Sequence, residues 1–109
     1  MSQFLYLYRG GQPGGTPEEM QKRMQKWVSW LKELGDKVKE PGQPLEFTGK
    51  LVRARGAVTD GPYAEKDIVS GYTFVEAKDI SHAIEMSRGC PIFDAGGMIE
   101  VRPILTMDM

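Results

Sequence analysis

The chain has 109 residues, enough for one domain spanning 1–109 whose single core buries roughly two-thirds of the unfolded surface. Fourteen basic side chains against fifteen acidic ones leave a formal net charge of −1 with no basic stripe, which argues against nucleic acid as a partner. No apolar run reaches membrane-spanning length, the opening MSQFLYLYRG lacks a secretory pattern, and the lone Cys90 excludes an internal disulfide framework; together these predict a cytoplasmic protein that enters no membrane.

Residues 4–9 predict a strand in which Phe4, Tyr6 and Tyr8 alternate with Leu5 and Leu7. Four glycines in residues 10–15 break it, either for close approach to a ligand or, in the blander and preferred reading, as a mobile linker. Thr16-Pro17-Glu18-Glu19 is a capping box with proline at the first helical position. The helix it opens carries Met20, Met24, Trp27, Leu31 and Leu34 as an inward stripe and ends at Gly35. Val28 and Trp30 fall at the margins of that stripe, leaving Trp30 free to face a partner. Residues 36–44 read as a connection. Residues 45–55 follow as a strand bent at Gly49, and 56–59 as a short strand leading into a turn at Asp60. Residues 71–77 form the clearest later strand, with Tyr72, Phe74 and Glu76 on one face and Thr73, Val75 and Ala77 on the other. Asp79 caps a second helix over 80–88 that turns Ile80, Ala83, Ile84 and Ser87 inward, and Gly89 and Pro91 end it. A last strand covers 98–105, where Pro103 implies an edge or a bulge; residues 106–109 carry no assignment.

Helices on one face of a mostly antiparallel sheet, in this order, give an α+β sandwich of the ferredoxin-like kind. Two short helices cover only one side. With Leu5, Leu7, Val75, Ile99 and Val101 turned toward them, alternation points Phe4, Tyr6, Tyr8, Tyr72, Phe74, Glu100 and Arg102 the other way. A face so rich in rings is expected to be buried against a second copy of the chain, giving a homodimer with its sheets packed together. The same face offers a small-molecule pocket of Tyr6, Tyr8, Tyr72, Phe74, Glu100 and Arg102, unless Glu100 and Arg102 merely satisfy each other.

Asp60-Gly61-Pro62-Tyr63-Ala64-Glu65 sets two carboxylates and a phenol on one stiffened turn. Pro62 has no amide hydrogen, so Asp60 bonds the amides of Tyr63 or Ala64 or stays free for chemistry. As an enzyme, the protein would use Asp60 or Glu65 as a general base, with burial raising its proton affinity and Tyr63 or Arg102 stabilising developing negative charge. As a non-catalytic binding or regulatory module, it would use Asp60 to close its own turn and pair Glu65 with Lys66 or an arginine. Other groups rank lower. His82 opens the second helix, Cys90 lacks an adjacent base, and the glycine loop lacks the lysine of a phosphate-binding loop. A hard cation on Asp60, Glu65 and Asp67 is outweighed by three solvated carboxylates, and one Cys with one His is too few for zinc, so neither metal nor cofactor is expected.

Val58-Thr59-Asp60-Gly61-Pro62-Tyr63-Ala64-Glu65, Gly71-Tyr72, the Arg-Gly-Cys-Pro run at 88–91 and the Gly-Gly-Met-Ile-Glu-Val-Arg-Pro-Ile run at 96–104 resemble the YCII-related proteins, in particular the branch with an Asp-Gly-Pro-Phe signature. The opening FLYLY and the PEEM helix start fit as well. The resemblance implies a dimeric α/β barrel of two ferredoxin-like protomers, a bacterial setting, a largely unassigned biochemical role and, in this branch, frequent association with sigma factors. Tyr63 stands where the signature has phenylalanine, and the stretch from Glu65 to Tyr72 is about one residue shorter than the family pattern. Better-known relatives carry a histidine in the first helix and an aspartate after the second; here the first helix offers Trp27 and Trp30, and the only histidine is His82, so chemistry built on that pair does not transfer.

Overall fold

The computed structural model describes residues 1–11, 14–64 and 66–106, with Ala54 through its backbone only. The first helix, α1 (Pro17–Leu34), begins as its residues predict: the Thr16 hydroxyl accepts the Glu19 amide at 3.1 Å, and Pro17 fills a position that needs no amide donor. Gly35 closes it with its amide on the Leu31 carbonyl, in a left-handed backbone region that suits glycine. The second helix, α2 (Ile80–Ser87), is capped by the Asp79 carboxylate, which accepts the His82 amide at 2.8 Å. His82 Nδ1 in turn accepts the Lys78 amide, so this histidine helps to shape the helix start.

Four antiparallel strands make the main sheet: β1 (Ser2–Arg9), β2 (Val38–Glu40), β5 (Val69–Ala77) and β6 (Met98–Pro103), in the spatial order β2-β5-β1-β6. Strand β2 lies inside the stretch expected to be a plain connection and follows a short 3-10 turn, Gly35–Lys37. Three residues carry too little alternation to announce a strand; their partner on β5 supplies the hydrogen bonds. A separate two-stranded ribbon, β3 (Gly49–Ala54) and β4 (Ala57–Gly61), is inserted between β2 and β5. Asp60 therefore sits within β4, opposite Lys50, and not in the turn beyond it. Pro103 ends edge strand β6, and a second 3-10 segment, Pro91–Ala95, links α2 to it. Without the ribbon, the β-α-β-β-α-β order is that of a ferredoxin-like α+β fold.

The register settles which residues meet the helices. Phe4, Tyr6 and Tyr8 of β1 are buried with Thr73, Val75 and Ala77 of β5, while Ile99 and Val101 of β6 pack beside them. The expected parity holds for β5 and β6 but is reversed for β1: Leu5 and Leu7 face away from the helices, and Phe4, Tyr6 and Tyr8 lie beneath them. The reversal has a chemical cause. The Tyr6 hydroxyl donates to the Ala83 carbonyl of α2, and the Tyr8 hydroxyl donates to Thr73 Oγ1 at 2.7 Å, bonds that leucine cannot make.

Trp30, expected at the margin of α1, is its most buried residue at 3% exposure. Its ring lies 6.2 Å from that of Tyr6 and 5.7 Å from that of Trp27, and its indole N–H donates to the Met86 carbonyl at 3.3 Å. Anchoring on this indole rotates the helix, so Trp27, Trp30, Leu31 and Leu34 form the inner stripe and Met20 and Met24 stay exposed. On α2 only Ala83 and Ser87 are buried; Ile80 and Ile84 remain exposed, because a small residue at 83 lets the helix close on the Tyr6 hydroxyl.

Candidate functional site

Burial raises the proton affinity of both Tyr6 and Tyr8 well above the ordinary phenol range, so both stay neutral. The Thr73 hydroxyl passes the Tyr8 bond on to the Pro41 carbonyl at 2.8 Å, tying β1, β5 and the exit of β2 together. These two tyrosines were expected in a substrate pocket on the open face; they belong instead to the core. Cys90 lies on the same side, buried, and desolvation pushes its thiol up to about 12, too high for a nucleophile near neutrality.

The other side of the sheet carries Leu5, Leu7, Tyr72 and Phe74, all half-buried. Leu5 is paired with Phe74 and Leu7 with Tyr72, and the two rings meet edge to face at 6.0 Å. Across β6, Leu7 is paired with Glu100 and Leu5 with Arg102, so the apolar patch runs directly into charge. Arg9 Nε donates to Glu100 at 2.7 Å, Arg102 Nη1 donates to its other oxygen at 3.2 Å, and Arg9 Nη1 reaches the Asp67 carbonyl at 3.1 Å. The hydrogen bond from Arg9, and then that from Arg102, holds the Glu100 carboxyl below the usual carboxylate range. Glu100 is therefore a fixed negative charge and not a proton store. Two guanidinium groups around one carboxylate leave an excess positive charge on the rim of an apolar floor, with most of the Arg102 side chain open to solvent.

Tyr72, Phe74, Glu100 and Arg102 thus share the face that their alternation predicts. Arg9 was missed, although it completes the same-face series Leu5, Leu7, Arg9 at a spacing of two. Asp60 and Tyr63 stand apart. Lys50 Nζ bonds the Asp60 carboxylate, whose side chain is 89% exposed, so the protomer supplies none of the burial that a general base near neutrality needs. Tyr63 is exposed after a cis Gly61–Pro62 bond, with the Arg53 guanidinium 6.0 Å from its ring centre. Glu65 lies outside the described residues, as do Gln12 and Pro13 of the glycine-rich break and residues 107–109 of the tail. The loop after Tyr63 returns to the sheet beside Arg9, where the Gly10 amide donates to the Ile68 carbonyl at 2.9 Å.

A depression of about 470 Å³ lies on the helix side between α1 and Pro91–Ala95. Charged chains such as Lys22 and Glu33 rim it, Lys26 pairs with Asp94 at 3.8 Å, and the Trp30 indole in its wall is already bonded. Its volume exceeds its chemistry, and the Arg9–Glu100–Arg102 face is the better candidate. Among the described residues, no three His, Cys, Asp or Glu side chains gather as metal ligands, and no helix is long and apolar enough to cross a membrane.

The search of curated proteins found no match. A family model for the YCII-related domain matches residues 4–108, nearly the whole chain. With that coverage, and with the β-α-β-β-α-β core described above, the chain belongs to the YCII-related family.

Proposed function

We propose that the protein works as a homodimer whose open sheet faces pack together and hold a small molecule with an anionic group beside an apolar body. The observation that carries this reading is the Arg9–Glu100–Arg102 cluster on a bare apolar sheet. Glu100 neutralises one guanidinium, and Arg102, on the open side, keeps donors for a carboxylate or phosphate. Leu7, Tyr72 and Phe74 give the apolar body a wall. Packing against a second copy supports both needs, since it hides the rings and excludes water from the charged rim. The buried, unpaired Cys90 supports the cytoplasm as its compartment.

Binding is favoured over catalysis by the states of the carboxylates: Glu100 is held ionised between arginines, and Asp60 is solvated and ion-paired. Acid–base chemistry by Asp60 with Tyr63 is the second reading. One observation favours it: the loop that follows them is bonded to Arg9, which also holds Glu100.

Thermal unfolding against a panel of aromatic and aliphatic carboxylates and phosphates tests the proposal, with product analysis on every hit. A true ligand at one hundred times its Kd adds about 2.7 kcal/mol to the native state. Arg102→Ala is expected to weaken binding at least tenfold without unfolding the protein. Hits indifferent to Arg102→Ala, or a panel without hits, would end the binding reading, and turnover abolished by Asp60→Asn would favour the enzyme.

A further inference from the structure

We propose that the β3–β4 ribbon is a dimerisation arm that lays its Lys50, Val52, Val58 and Asp60 face on the second copy of the chain. This inference rests on the homodimer proposed above. The two strands pair with each other and pack substantially against no other element among the described residues. An isolated two-stranded hairpin is at best marginal in water, so one held in this way calls for a surface to lie on. Its own body does not provide one. The radius of gyration is 15.5 Å, against about 13 Å for a compact chain of this length. The molecule measures 47 × 44 × 18 Å, only as deep as one helix layer on one sheet, so the ribbon projects sideways and does not fold over either layer.

Register and alternation define the docking side. Val52 is opposite Val58 and Lys50 is opposite Asp60, which puts all four residues on one face. The two valines are 70% and 58% exposed, a cross-strand apolar pair facing solvent.

Area selects a second copy. A four-stranded face roughly 19 Å wide and about 25 Å long covers on the order of 500 Å², short of the about 800 Å² per partner in a standard interface. In a twofold dimer each copy gives one arm and receives another, which adds roughly 300 Å² and closes the gap. The arm's root is pinned by the Leu45 amide on the Ser70 carbonyl and by the Pro44–Gly71 bridge, so it is presented from a fixed place. Docking also buries Asp60 against the partner, and a site containing Asp60 is then completed only in the dimer.

Sedimentation velocity over a concentration series, with circular dichroism to verify folding, tests the arm through Val52→Asp combined with Val58→Asp. The expected result is a dimer Kd raised at least tenfold with the fold intact. Phe74→Asp, on the open sheet face, serves as the dissociating reference. A dimer that Phe74→Asp breaks and the arm variant leaves unchanged overturns the arm while the homodimer stands; wild-type protein that stays monomeric overturns both. Hydrogen exchange gives a reading independent of the variants. Amides of β3 and β4 are expected to be protected in the wild-type dimer and to exchange fast in the Phe74→Asp monomer. Fast exchange in the intact dimer means that some other molecule, or none, covers the arm, and this too overturns the inference.

Discussion

Replacing Tyr6 by phenylalanine removes one oxygen from the centre of the molecule and keeps the ring. The residue is fully buried, and its hydroxyl donates to the Ala83 carbonyl across the sheet–helix interface. A typical hydrogen bond contributes about 1 kcal/mol net, and leaving a buried acceptor without its partner costs about 1–3 kcal/mol. The Tyr6–Trp30 ring contact survives, so the cavity contribution is small and the expected loss is about 1.5–2 kcal/mol. Out of a total of about 5–15 kcal/mol for an ordinary domain, that lowers Tm by roughly 6–10 °C and the urea midpoint by about 1 M. Urea unfolding followed by tryptophan fluorescence, at one fixed protein concentration, measures it. Tyr72→Phe is the control, since the Tyr72 hydroxyl on the open face has no hydrogen-bond partner among the described residues. Its loss is expected to stay within about 0.5 kcal/mol. An unchanged midpoint for Tyr6→Phe, or an equal loss for Tyr72→Phe, would refute the assignment of the β1 phenols to the covered side.

Burial raises both Tyr6 and Tyr8, so the stability they contribute is complete below the unfolded-state phenol value of about 10 and is lost as pH rises beyond it. Absorbance at 295 nm should show two phenols ionising only as the protein unfolds; their smooth ionisation in a chain with native circular dichroism would contradict this. Cys90, pushed up to about 12, should resist iodoacetamide at pH 8 in the native protein and react freely in urea; rapid native labelling would disprove its burial. Gly42→Ala should cost about 2–4 kcal/mol in urea unfolding, because Gly42 has φ +75° and an added methyl would overlap the Tyr72 carbonyl oxygen. Thr16→Ala removes the α1 cap and should cost about 1 kcal/mol; no change would mean that Pro17 alone starts the helix.

Both helix starts were legible in the sequence, because a cap and the amide it receives are only three residues apart. Thr16 with Glu19 and Asp79 with His82 need nothing from the rest of the chain. The open-face placement of Tyr72, Phe74, Glu100 and Arg102 was legible as well, since Thr73, Val75, Ile99 and Val101 contrast with them in polarity or size. Strand β1 offers no such contrast: Phe4, Leu5, Tyr6, Leu7 and Tyr8 would suit either face. Only the assembled structure decides it. The Ala83 carbonyl and the Thr73 hydroxyl, each more than sixty residues away in sequence, offer acceptors that phenols fill and leucines cannot. The same holds for Asp60: the Gly61-Pro62 pair beyond it is plain in the sequence, but its place within β4 opposite Lys50 and its exposure are not. Local hydrogen bonds are written in neighbouring residues, whereas burial depends on what the distant parts of the chain bring to the other side.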